Sequence, residues 1–236
     1  MWLALIIFGA VVLGGCQTPD FGAYPGATTQ GKNEFRLWQG SVIAAIAIGL
    51  LVWVLIFWAI IRYRKKDERL PKQTRENVPI ELIYTITPVI LVAVLFFFTV
   101  IVENRIDALP PARLDVKVTA FQWGWDFNYP AQHTDVVGNY NSYPQMVLPV
   151  GEDVQITLVS NDVTHSFYVP AFNFSRMALP GVVNKFDFHV TQVGTYVGRC
   201  NQYCGLYHSQ MRFSVKAVSQ SEFQAWASSH GGKAAA

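Results

Sequence analysis

The sequence predicts a membrane-anchored β protein: a hairpin of two transmembrane helices followed by an all-β sandwich or barrel. Three observations predict it. Two charge-free apolar runs, residues 41–61 and 82–102, lie in the first half of the chain. From about residue 109 the pattern changes to short alternating runs bounded by Pro, Gly, Asn and Asp. With 51% apolar and only 14% charged residues among 236, the chain is too apolar for a purely soluble protein of this size.

The first apolar run, residues 2–15, is shorter than the roughly 20 residues a helix needs to cross a bilayer, so residues 1–15 read as a lipoprotein-type signal peptide. Its end, Leu13-Gly14-Gly15-Cys16, resembles a bacterial lipobox, which makes Cys16 the expected lipidation site. Residues 16–40 form an extracytoplasmic segment that opens on a Gly/Pro/Thr-rich stretch. Residues 41–104 hold the two spans. The first, 21 residues without a charge, is about 31 Å long at the helical rise, enough to cross a membrane. It stops at the basic run of residues 62–66, and Arg69, Lys72 and Arg75 follow, so the connecting loop is cytoplasmic by the positive-inside rule. The second span carries Pro88, where neighbouring groups tolerate a kink.

Residues 109–220 are the expected β domain. In the run 184–190, Phe186, Phe188 and Val190 alternate with Lys185, Asp187 and His189, which predicts one buried face and one wet face, with His189 exposed. Residues 221–236 are assigned to a C-terminal tail, aperiodic and disordered from about Ser228. The net charge of +2, with no basic cluster interleaved with aromatics, excludes a nucleic-acid partner.

Three cysteines cannot all pair with one another, so at least one is lipidated, metal-bound or free. Two of them fall in CNQYCGLYHSQM, residues 200–211, between two strand-like runs. The spacing CxxxCxxxHxxM lets one loop present Cys200, Cys204, His208 and Met211 to a metal. Thiolates, imidazole and a thioether are soft donors, and methionine favours copper over zinc. His165, in SNDVTHSFYVP, raises the side-chain donors to five, more than one tetrahedral site uses; two metals sharing the thiolates would use them all. The alternatives are a structural disulfide between Cys200 and Cys204 and a hydrogen-bonded core histidine at 165.

The loop resembles the binuclear CuA motif of subunit II of the heme-copper cytochrome c oxidases, CxExCxxxHxxM, and DVTHSFYVP is similar to the region of that family's upstream ligand histidine. The likeness covers nearly the whole chain. It implies a cupredoxin-like sandwich in which Cys200 and Cys204 bridge two coppers. His165 and Met211 complete one, and His208 with the backbone carbonyl of Gln202 completes the other. Most members have Glu at position 202, whose carboxylate also helps to bind magnesium at the subunit I boundary. Here Gln202 offers an amide oxygen instead.

The same resemblance assigns two further roles. FQWGWDFNYP, residues 121–130, is similar to the family's aromatic patch, which makes Trp123 the residue that receives electrons; Gly124 departs from the usual aromatic. ELIYTITP, residues 81–88, resembles ExxWTxxP, whose Glu stands at the cytoplasmic mouth of a proton pathway, here Glu81. The bland readings are a buried strand aromatic and an interfacial charge. The implied function is that of a bacterial oxidase subunit II, in the cell (inner) membrane with its β domain outside, passing electrons from cytochrome c to heme in subunit I. Its partners are then subunit I, the other oxidase subunits and the donor. From Ala112 onward basic and acidic residues balance, eight of each, which predicts a tethered c-type cytochrome over a diffusing basic one. A membrane-tethered copper-delivery protein is the alternative; it would have no need of Glu81 or Trp123.

Overall fold

The computed structural model describes residues 20–68 and 73–231. The expected leader, Cys16, and Arg69 and Lys72 of the basic loop lie outside the described residues. The chain divides into two units, residues 36–103 and the remainder.

The first unit is helical. Helix α1 spans Thr29–Arg62 and α2 spans Val78–Ile106, both long enough for a hydrocarbon layer of about 30 Å. α1 starts well before the charge-free run, so part of the segment expected ahead of the span is helical. Apolar side chains on all sides of both helices, among them Leu51, Trp53, Phe57, Ile83, Val92 and Phe96, are exposed in the isolated chain. A helix apolar all round has no preferred face toward water, which is the signature of a lipid-embedded segment. The hydroxyls of Ser41 and Thr99 donate to the carbonyls of Leu37 and Leu95, so neither needs water. Asn77 opens α2, and the Glu81 carboxylate accepts its backbone N–H at 2.9 Å. Pro88 lies inside α2 without ending it.

The second unit is a sandwich of two five-stranded sheets. Its strands are β1 (Leu114–Phe121), β2 (Gly124–Tyr129), β3 (Thr134–Asn139), β4 (Gln145–Pro149) and β5 (Asp153–Ser160). There follow β6 (His165–Val169), β7 (Phe174–Ala178), β8 (Asn184–His189), β9 (Gly194–Cys200) and β10 (Arg212–Val218). One sheet has the order β3-β2-β1-β5-β8, the other β4-β10-β9-β6-β7. Most neighbours are antiparallel, but β1 with β5 and β4 with β10 are parallel. Alternation fills the core: Leu114, Val116 and Val118 from β1 meet Val154, Ile156 and Leu158 from β5. Aromatic rings bind the sheets together: the fully buried Trp125 of β2 is edge-on to Phe213 of β10 at 5.1 Å and to Phe167 of β6 at 5.8 Å.

Two expectations are corrected. On β8 the face expected to be wet is covered toward its end: Lys185 is exposed as expected, but Asp187 is buried and His189 half-buried. The cover is the segment leading into α1. Thr28 bridges to Val190, the Gln30 amide donates to Asp187 Oδ2 at 2.5 Å, and the same side chain accepts the His189 N–H at 3.1 Å. The region from Ser228 is ordered up to His230, because helix α3 (Gln220–His230) occupies it. Ser219 and Glu222 form a reciprocal capping box at its start, and Phe223 and Ala227 are buried against the sandwich.

Candidate metal centre

Two connections converge at one end of the sandwich. The turn after β5 delivers His165 as the first residue of β6, and β9 ends on Cys200. The loop from β9 to β10 carries Gln202, Cys204 and His208 and returns through Met211. It is closed at its neck by a backbone hydrogen bond from Cys200 N–H to Met211 O, 2.9 Å. A second tie, from Asn201 N–H to Ser166 O, fixes the loop to β6.

The donors lie within contact of one another. Cys200 Sγ is 3.8 Å from Cys204 Sγ, 4.0 Å from His165 Nδ1 and 3.2 Å from the Gln202 carbonyl oxygen. Cys204 Sγ is 3.5 Å from His208 Nδ1 and 3.7 Å from Met211 Sδ. Both cysteines are free, which leaves the disulfide alternative without support. His165, Cys200, Cys204 and Met211 are buried, and His208 and Gln202 are half-buried at the rim.

The electrostatics suit a cation. Burial opposes ionisation of Cys200, yet the His165 ring and neighbouring backbone groups outweigh it and hold this thiol below its ordinary value. Burial and the negative charge of Cys200 push the Cys204 thiol up to about 12. One thiol is thus eased toward its thiolate, and the other is held toward its neutral form by burial and its neighbour's charge. The donor set, two sulfurs with a thioether, two imidazoles and a carbonyl oxygen, fits copper.

Asp162, which the sequence did not single out, organises this end. Its Oδ1 accepts from His165 Nε2 at 2.8 Å, leaving Nδ1 aimed at the sulfur, and its other oxygen accepts the Gln122 N–H at 2.7 Å. Burial works against its charge, but the hydrogen bonds from His165, Gln122 and Val163 hold its carboxyl below the usual range. The detectable signal was an acidic residue three positions before the histidine.

The aromatic patch joins the same end. Gln122 Nε2 and Trp123 Nε1 both donate to the Cys204 carbonyl, at 2.8 and 3.1 Å. Trp123 is half-buried, whereas Trp125 is wholly inside the core. Gly205 makes the approach possible: its φ is +117°, and a Cβ there would lie 3.1 Å from the Trp123 ring. Glu81 is in the other unit, in the first turn of α2.

Residues 114–218 match the family described as cytochrome C oxidase subunit II, periplasmic domain, and residues 21–102 match its transmembrane domain. A probable cytochrome c oxidase subunit 2 of Nocardia farcinica is 33% identical, with 91% of this chain and 76% of the relative covered. That of Streptomyces avermitilis is 35% identical, over 89% and 80%. The crystal structure of the periplasmic domain of cytochrome oxidase subunit II of Bradyrhizobium japonicum is 28% identical, over 52% of this chain and 96% of that one, with a TM-score of 0.47. The match to both domains of the family, in order along the chain, shows that this protein belongs to the cytochrome c oxidase subunit II family.

Proposed function

We propose that the chain accepts electrons from a c-type cytochrome at a binuclear CuA centre and delivers them to heme in subunit I, where oxygen is reduced. Family membership makes it a membrane protein and part of an oxidoreductase complex, with its β domain on the outer side. The observation that carries the proposal is the pair of buried thiols 3.8 Å apart, flanked by two imidazoles and a thioether.

When bound, the copper pair supplies a one-electron relay. The residues do the rest. Cys200 and Cys204 would supply the shared thiolates, and His165, Met211, His208 and the Gln202 carbonyl would complete the donor set that holds the pair. Burial keeps water from the sulfurs, and Asp162 fixes the His165 ring with Nδ1 inward. Trp123 receives the electron and is tied to the Cys204 carbonyl, a direct path to the site. Glu81, beside the basic loop, is the carboxylate that collects protons on the cytoplasmic side. The Gln202 amide is the hard-cation ligand this loop offers to magnesium at the subunit I boundary. Cys16 anchors the mature chain through lipid, and the complex sits in the bacterial inner membrane, pumping protons as it turns over.

The test is copper analysis and electron paramagnetic resonance of the purified oxidase. The expected result is two coppers in addition to those of subunit I, sharing one unpaired electron equally. No additional copper, or a mononuclear signal, overturns the proposal. Reversible copper release without electron transfer identifies a copper-delivery protein.

A further inference from the structure

Trp123 is not alone at the site end. Its indole meets Tyr207 edge to face, ring centroids 5.1 Å apart at 84°, and Tyr207 stacks on Tyr140 at 4.2 Å and 4°. Each ring comes from a different connection: the β1–β2 turn, the β9–β10 loop and the β3–β4 turn. The last of these is rigid. Asn139 and Ser142 exchange backbone hydrogen bonds of 2.9 and 3.1 Å, and Asn139 Oδ1 accepts the Asn141 N–H at 2.9 Å. Asn139, Asn141 and Tyr143 around it are exposed, so Tyr140 is displayed at a surface turn.

What is organised here is the rings and not the hydroxyls. Among the described residues no hydrogen-bond partner is recorded for either phenol oxygen, whereas Tyr129, Tyr196 and Trp123 all have one. Neither tyrosine belongs to the buried core, so packing the sandwich does not call for them. Both rings are half-buried and held in register by a flat stack, an arrangement that fixes orientation at little entropic cost.

We propose that Tyr207 and Tyr140 are positioning residues for electron uptake. Tyr207 holds the Trp123 indole in its working orientation, and Tyr140 braces Tyr207 and presents the stack to the porphyrin edge of the donor. The inference rests on the proposed electron-accepting role of the site. In the step, the donor's ferrous heme loses one electron and becomes ferric, the metal centre gains that electron, and the three rings end as they began, with no proton exchanged.

The test uses the intact purified oxidase carrying Tyr207→Leu, Tyr207→Phe, Tyr140→Leu or Tyr140→Phe. Electron uptake is followed by rapid mixing with a reduced soluble c-type cytochrome, and separately with the small reductant hexaammineruthenium(II). Each Leu variant should slow uptake at saturating cytochrome by about two- to tenfold, the population effect of losing one aromatic contact. The Phe variants should keep the native rate, and uptake from the small reductant, copper content and the paramagnetic signal should not change. Leu variants with native rates, a rise in KM alone, Phe variants as slow as Leu, or a lost copper signal in the variants would each overturn the inference. Failure of the underlying reading shows elsewhere, as a missing copper signal in the unmodified complex.

Discussion

Strand β5 runs the length of the sandwich, and its two ends face opposite chemistry. Beyond Ser160 lies the metal-centre end, where sulfur and imidazole donors crowd into a dry space. At Asp153 lies the other end, where Asp153, Asp187, His189 and Gln30 gather. Both ends bury polar groups, which costs free energy unless partners compensate. The far end compensates mostly within the chain: His189 pairs with Asp153 at 2.8 Å, and Gln30 serves both Asp187 and the His189 backbone. The metal-centre end does not, because thiols and thioethers are weak hydrogen-bonding groups. One end is a joint for residues 28–31, which belong to the same unit as the sandwich; the other is a socket whose donors suit a cation. The comparison teaches that buried polarity marks function where the groups cannot satisfy each other.

Cys204→Ser should break the socket outright: copper bound to this chain falls to none by elemental analysis, while circular dichroism of the β domain stays native. Full copper retention would end the distinction. Asp162→Asn comes next. Loss of the carboxylate behind His165 should lower copper affinity by about 10–100-fold in chelator competition, since supporting groups of metal-bound histidines carry effects of that size. At the joint, Gly31→Ala places a Cβ 2.3 Å from the Phe172 carbonyl oxygen. Something must shift, and the thermal midpoint in detergent should fall by the equivalent of about 1–3 kcal/mol with copper binding untouched.

The smallest effect is a pH dependence at the same joint. Burial, reinforced by the charge of Asp153 and opposed by Gln30 and His189, raises the Asp187 carboxyl from 3.8 to about 6. Well below pH 4 the group is protonated in both folded and unfolded chains, and its shift has no effect on stability. Between about pH 4 and 6 the unfolded chain gives up this proton while the folded chain keeps it, so stability falls across that window and levels off above 6, where the folded chain holds a buried charge. Asp187→Asn should remove the fall, making the variant more stable than the native chain by ~1 kcal/mol above pH 7, after discounting for solvent screening, and equal to it at about pH 3. A parallel offset at both pH values would show that Asp187 acts only through its shape.

Much of this could be read in advance because the signals are local. A charge-free run long enough to cross a membrane needs no partner to be recognised, nor do strands alternating inward and outward, nor a loop with two cysteines, a histidine and a methionine at fixed spacing. The capping box at Ser219 and Glu222 was also legible, and it marks the start of the helix that the apparently aperiodic tail conceals. Other features had no local signal. Gln30 and Asp187 are 157 positions apart, and nothing in the alternation of β8 reveals that another segment will cover its outer face.

The sequence by itself determined the order of membrane helices and β sandwich, the buried face of most strands, and the kinds of donor atom held in the loop of residues 200–211. Those depend on composition and on repeats of two residues or of three to four, which act within one element. Only the tertiary structure decided that Asp162 stands behind His165, that Asp187 is covered, and that Trp123 meets Tyr207 edge to face while Tyr207 stacks on Tyr140. Each of these unites side chains from separate connections, and their distances are set by how the two sheets pack, which no stretch of chain contains alone.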